Sequence, residues 1–172
     1  RSLDEYSILT QGDCWCNNMM FLYENDKSTK DPIDMALIDW QLLRPASPAF
    51  DISYFFLTIA SEAALNKCKD YLKLYHNELS EQIRLLGSEP EVLYPFPAFM
   101  KHWKDHCRFG FAMATIIIKV MLSEKDEVVN LEEIDLEDAE QLENLYPKFE
   151  KEEEFLRRMK VLAKYMIANG YL

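Results

Sequence analysis

A chain of 172 residues, 49% hydrophobic and 13% aromatic, is long and apolar enough to bury one globular core. Its net charge of −11 leaves no lysine- or arginine-rich face to displace counterions from phosphates, so nucleic acid is excluded as an expected partner. The longest clean apolar run, Phe109 to Ile118, stops at Lys119, far short of the roughly 20 residues a membrane span needs.

The charge is unevenly spread. Residues 123–154 hold fourteen acidic and three basic side chains, and the remainder holds sixteen of each. That segment reads as a solvated loop with a short helix around Leu136 to Leu145, steering of a cationic substrate being the alternative. No charged-then-apolar leader precedes the first motif. Cys14, Cys16, Cys68 and Cys107 form no spaced disulfide framework, so a reducing cytoplasm is the expected location.

Taken in chain order, "ILTQGDCWCNNMMFLYENDKSTKDPIDMALIDWQ" predicts strand, loop, strand, polar turn and strand. Met19 to Tyr23 and Met35 to Trp40 are the apolar arms of a hairpin, whose faces should rest on helices because a lone two-stranded ribbon is marginal. After Pro45 and Pro48, "FDISYFFLTIASE" predicts a buried helix with Asp51 as cap and dipole partner. Leu65, Cys68, Leu72, Tyr75, Leu79, Ile83 and Leu86 recur at steps of three and four and predict one helix ending at Gly87. A Pro-rich connector precedes a long helix with Phe99, Trp103, His106, Gly110, Met113 and Ile117 on one face. From Phe149 a last helix turns Phe155, Met159, Leu162 and Met166 inward and stops near Gly170. The expected fold is mainly α with a small β-hairpin, without internal repeats.

The loop "QGDCWCNN" carries the chemistry. Phosphoryl transfer to a hydroxyl asks for a carboxylate to orient and deprotonate the attacking group, and for oxygen ligands to hold magnesium on nucleotide phosphates. Asp13 suits the first task. Asn18 and Asp39 suit the second, because magnesium takes hard oxygen donors and keeps several waters. A hairpin is a short way to return position 39 beside position 18.

The same residues carry a resemblance. "QGDCWCNN" is similar to the His-x-Asp-x-x-x-x-Asn catalytic loop of the aminoglycoside- and choline-kinase-like phosphotransferases, and "IDWQ" to their magnesium-binding Asp motif. The longer text "GDCWCNNMMF…LIDWQLLRPASPAFDISYFF" most resembles the ecdysteroid-kinase-like family, also called CHK kinase-like, over about residues 8 to 60. The resemblance implies the C-terminal lobe of a protein-kinase-like fold spanning residues 1–172, with ATP and Mg2+ as cofactors and a small-molecule alcohol as acceptor, an ecdysteroid or similar lipophilic compound. It also implies that Asp13 is the catalytic base, that Asn18 and Asp39 bind the metal, and that Gln11 and Asp51 support the loop. Trp15 and Asn17 become loop-shaping or substrate-side residues, and Tyr54, Phe55 and Trp103 candidate pocket residues. Gln11 stands where the family has His. The family's N-terminal nucleotide lobe, with its phosphate-covering loop and phosphate-pairing Lys, is expected as a missing partner, since the four Gly of this chain assemble no such loop.

Competing readings are weaker. Cys14 and Cys16 form a C-x-C with no second pair, too few ligands for structural zinc. His102 and His106 have the i, i+4 spacing of a two-His metal face, yet "HWKDH" lacks the Glu of the protease motif, and packed histidines are expected. Two functional alternatives stand: a choline- or aminoglycoside-type kinase, and a truncated non-catalytic module that binds an apolar ligand.

Overall fold

The computed structural model describes residues 5–24, 31–123 and 150–172. The protein is mainly helical, with two small antiparallel two-stranded sheets. In chain order it runs β1 (Ile8–Thr10), a 3-10 turn (Cys16–Asn18), β2 (Met19–Leu22), β3 (Asp34–Leu37), a second 3-10 turn (Trp40–Leu42) and β4 (Arg44–Ala46). The helices follow: α1 (Pro48–Ile59), α2 (Glu62–Asn66), α3 (Cys68–Leu85), α4 (Pro90–Leu93), α5 (Phe96–Leu122) and α6 (Glu152–Ala168). The helix expected around Leu136 to Leu145 lies outside the described residues.

β2 and β3 form the expected hairpin, in a register that sets Met19 opposite Leu37 and Leu22 opposite Asp34. Its apolar side chains do not rest on the helices as expected: Met20 is 61% exposed, and Phe21, Leu22 and Met35 are likewise open. The ribbon is held at its root instead, where the Ile38 N–H donates to the Asn18 carbonyl at 2.9 Å. β4 has no counterpart in the sequence reading. It pairs with β1, Thr10 facing Arg44, and the Thr10 hydroxyl adds a bond to the Arg44 carbonyl at 2.8 Å.

The cap of α1 is Ser47, not Asp51. The Ser47 hydroxyl accepts from the Ala49 N–H, and Pro48 occupies the first helical position, where its missing donor costs nothing. Asp51, in the first turn, is thereby left for another task. The predicted single helix over 65–86 is broken at Lys67 into α2 and α3, and Leu86 lies past the end of α3, 84% exposed, because Gly87 at φ 81° turns the chain away.

α5 is the spine. It packs along α1, and Phe99, Trp103, Cys107, Ala114 and Ile118 meet Leu57, Leu162 and Met166 in one buried cluster. The larger of these, Phe99, Ile118, Leu57, Leu162 and Met166, each contribute roughly 1.5–3 kcal/mol on burial. The α1–α5 crossing is close enough at Gly110 that a methyl there would meet the Ser53 carbonyl oxygen at 2.5 Å. The Ser53 hydroxyl reaches across to the His106 carbonyl at 3.1 Å. α1 is thus fixed on α5, and the polar loop hangs from α1.

Candidate active site

Three pieces of chain meet at the loop between β1 and β2. Gly12 opens it with φ 90°, where L side chains are strained, and a methyl on it would strike the Leu42 carbonyl. The loop is then gathered by one backbone and one side-chain bond of its own. Trp15 N–H donates to the Asp13 carbonyl at 3.0 Å, and the Asn18 amide donates to the same carbonyl at 2.9 Å.

Asp51 holds the loop from α1. Its Oδ2 accepts the Gln11 N–H at 2.7 Å and its Oδ1 the Gly12 N–H at 3.1 Å. Burial pushes the Asp51 carboxyl up from its ordinary range, against the pull of those two donors and of Arg44.

Gln11 stitches the loop to the strand end that carries Asp39. Its side chain is 1% exposed. Its Oε1 accepts the Asp13 N–H at 2.7 Å, while its Nε2 donates to the carbonyls of Ile38 at 3.0 Å and Asp39 at 2.7 Å. An amide, with a donor and an acceptor at one end, makes both sets of bonds at once.

The Asp13 carboxylate is half-buried and well held. Oδ2 accepts from the Asn18 amide at 2.9 Å and from the Trp15 indole at 3.3 Å, and Oδ1 accepts from the Tyr54 hydroxyl at 2.9 Å. Burial, then the bond to Asp13, pushes the Tyr54 phenol far above its ordinary value, so it remains a donor. Because the Asn18 amide turns its nitrogen to Asp13, its oxygen points elsewhere and accepts no hydrogen bond among the described residues.

Asp39 has φ 60° and ψ 62°, and among the described residues it is the one non-glycine with positive φ. Asp tolerates this conformation better than most residues, and such positions concentrate at functional sites. Its side chain is exposed. Asp13 and Asn18 are therefore in direct contact, and Asp39 joins them through the backbone bond from Ile38 to Asn18 and the Gln11 bridge.

The remaining candidates separate. Asn17 is exposed on the loop. Trp103 is fully buried in the core, edge-on to Phe56 at 6.0 Å. Phe55 lines a hollow of about 760 Å3 between β1, α1 and α3, whose walls include Leu9, Ile59 and Tyr75, with Gln11 and Asp51 at its loop end. Asp13, Asn18, Asp39 and Trp103 do not line it. Cys14 does, and burial pushes its thiol up to about 12, with Asp51 and Asp13 adding to the rise, so it is no thiolate. His102 is spent on Ser47 and Tyr94, at 2.8 and 3.0 Å through Nδ1, and His106 Nδ1 lies 2.8 Å from the His102 carbonyl. All four cysteines are free thiols.

Sequence reading missed the Tyr54–Asp13 bond. One signal was present: Tyr54 stands three residues after Asp51, on the same helical face.

What class of protein carries this loop follows from the comparison of sequences, which points to the kinase-like phosphotransferases. The chain belongs to the Ecdysteroid kinase-like family, whose model matches residues 1–88. Neither the curated proteins nor the solved structures include a match to it. No helix among the described residues is long and apolar enough to cross a membrane.

Proposed function

We propose that this chain is the C-terminal, catalytic lobe of an ATP- and Mg2+-dependent kinase that phosphorylates an alcohol, an ecdysteroid or similar lipophilic hydroxyl compound. The single observation that carries this reading is the Asp13 carboxylate, gripped on both oxygens and set beside the Asn18 amide and the strand end bearing Asp39. In it, Asp13 orients the acceptor hydroxyl and takes its proton. Gln11 and Asp51 keep the loop in shape.

The donor set suits magnesium. Asn18 offers an amide oxygen free of hydrogen bonds among the described residues, and Asp39 an exposed carboxylate. Among the described residues no three His, Cys, Asp or Glu side chains are grouped to hold a metal. A magnesium that rides in on nucleotide phosphates needs only one or two protein oxygens. When bound, it neutralises charge on the phosphates during transfer. Nucleotide is held mainly by an N-terminal lobe, which this reading takes to precede residue 1. Free thiols at all four cysteines support a reducing, cytoplasmic setting.

Replacing Asp13 with Asn in the intact protein is expected to lower kcat on the order of 10²-fold or more with nucleotide affinity unchanged. Equal turnover in the variant would sink the assignment.

The hollow beside β1 favours a second reading, a non-catalytic module that takes an apolar ligand. Calorimetry separates the two: a module takes up ligand without ATP or metal, whereas the kinase consumes ATP only with Mg2+.

A further inference from the structure

The two oxygens of Asp13 are unequally occupied. A carboxylate oxygen has two lone-pair directions. Oδ2 has both filled, by the Asn18 amide and the Trp15 indole. Oδ1 accepts from Tyr54 alone among the described residues, which leaves it one open direction.

We propose that Tyr54 is the positioning residue of the transfer: by pinning Oδ1 at 2.9 Å it selects that oxygen, and aims its remaining lone pair, as the one that receives the acceptor's proton. The inference rests on Asp13 being the base. In the step, the acceptor oxygen bonds to the γ-phosphorus and its proton passes to Oδ1, while the bond from that phosphorus to the bridging oxygen breaks and the nucleoside diphosphate leaves.

Tyr54 is built for this and for little else. It is 0% exposed, so its ring offers no surface to a substrate. Phe109 on α5 meets it edge-on at 6.2 Å and is itself held by stacking on Phe50 of α1 at 4.1 Å, so the ring beside the phenol is fixed. Ser53, next to it in the chain, is tied to α5 through the His106 carbonyl. Asp51, one turn earlier on the same face, grips the backbone of residues 11 and 12. One turn of α1 therefore holds the loop twice, by its backbone and by its carboxylate. Without the hydroxyl, Asp13 keeps donors on one oxygen only and can swing about that edge, and a misplacement of about 1 Å can cost roughly 10²-fold in rate.

The test is a double-mutant cycle in the full protein, with MgATP and an ecdysteroid acceptor, over wild type, Tyr54→Phe, Asp13→Asn and the double variant. Tyr54→Phe is expected to lower kcat about 10- to 100-fold with both KM values unchanged. In the Asp13→Asn background the same substitution is expected to change kcat less than about twofold, because coupled residues are not additive. Phe109→Leu, which keeps the hydroxyl but loosens the ring, should fall between wild type and Tyr54→Phe. If Tyr54→Phe keeps its kcat, or costs the same factor with and without Asp13, the residue is merely structural and the proposal is overturned. If Asp13→Asn itself keeps full turnover, or the wild type turns nothing over, the kinase reading fails first and takes this one with it.

Discussion

Gln11 occupies the place where the family has His, and it is more than a neutral filler. A ring offers one donor and one acceptor on opposite edges, whereas the Gln11 amide places both at one end and reaches the Asp13 N–H and two carbonyls of the opposite strand end. Gln11→Ala should cost about 2–4 kcal/mol in denaturant unfolding, since buried partners are left unpaired. Gln11→Glu, nearly the same shape, should cost more than Gln11→Ala at neutral pH, because it turns a carboxylate toward the carbonyls of Ile38 and Asp39. An equal or smaller loss would show that the Nε2 bonds contribute little. Asp51 gives a pH-dependent counterpart. Its folded carboxyl sits above the unfolded value of about 4, so over the interval between them the folded chain binds more protons. Its stability contribution is whole below about pH 4 and is lost as pH rises through the folded value. Unfolding curves for wild type and Asp51→Asn, compared from pH 4 to 7, should show the wild-type advantage shrinking toward neutrality; a growing advantage would reverse the sign.

Among the elements, α1 and α5 decide where the site lies, and at Ser53 and Gly110 they meet through small groups. A methyl on Gly110 would sit 2.5 Å from the Ser53 carbonyl, so Gly110→Ala must push the helices apart and should cost roughly 1–3 kcal/mol. The same displacement moves Tyr54, which follows Ser53, so kcat should fall along with the melting temperature. Ser47→Ala, at the N-terminal end of α1, removes both the cap and the buried bonds to His102 and Tyr94 and should cost about 2–4 kcal/mol while leaving kcat alone. Much of this frame was legible in the residues. Phe99 and Trp103 of the predicted stripe and the pair Leu162 and Met166 follow the helical period and lie in the core, whereas His106 and Met113 of that stripe are only half-buried. Other features left little trace. β4 is three residues with a proline at its centre, and it exists only because β1 lies opposite. Asp51 looks like a cap from its spacing, but Ser47 stands one step before Pro48 and takes that role. In the site, the interval from 13 to 18 and the later Asp39 were readable as two motifs, "QGDCWCNN" and "IDWQ". The contact of Tyr54 with Asp13 spans 41 residues and arises from tertiary packing, which no local pattern encodes.

Across the molecule, one run of exposed apolar side chains follows the ribbon and its root: Met20, Phe21, Leu22, Met35, Trp40 and Leu42. Such a patch binds dyes and other apolar surfaces unless something covers it. Met20→Thr with Leu22→Lys should lower the fluorescence of a bound hydrophobic dye without changing the melting temperature by more than a few degrees; unchanged dye binding would place the reactive surface elsewhere. Gly12 has a reach of a different kind. With the Leu42 carbonyl filling the space where its side chain would be, main chain meets main chain where the loop passes the segment beyond Asp39. A gauge of that sort does not loosen when distant side chains repack. Cavities cut into the core, as by Met166→Ala, should therefore shorten the lifetime of the folded molecules yet leave each survivor working at the parental speed.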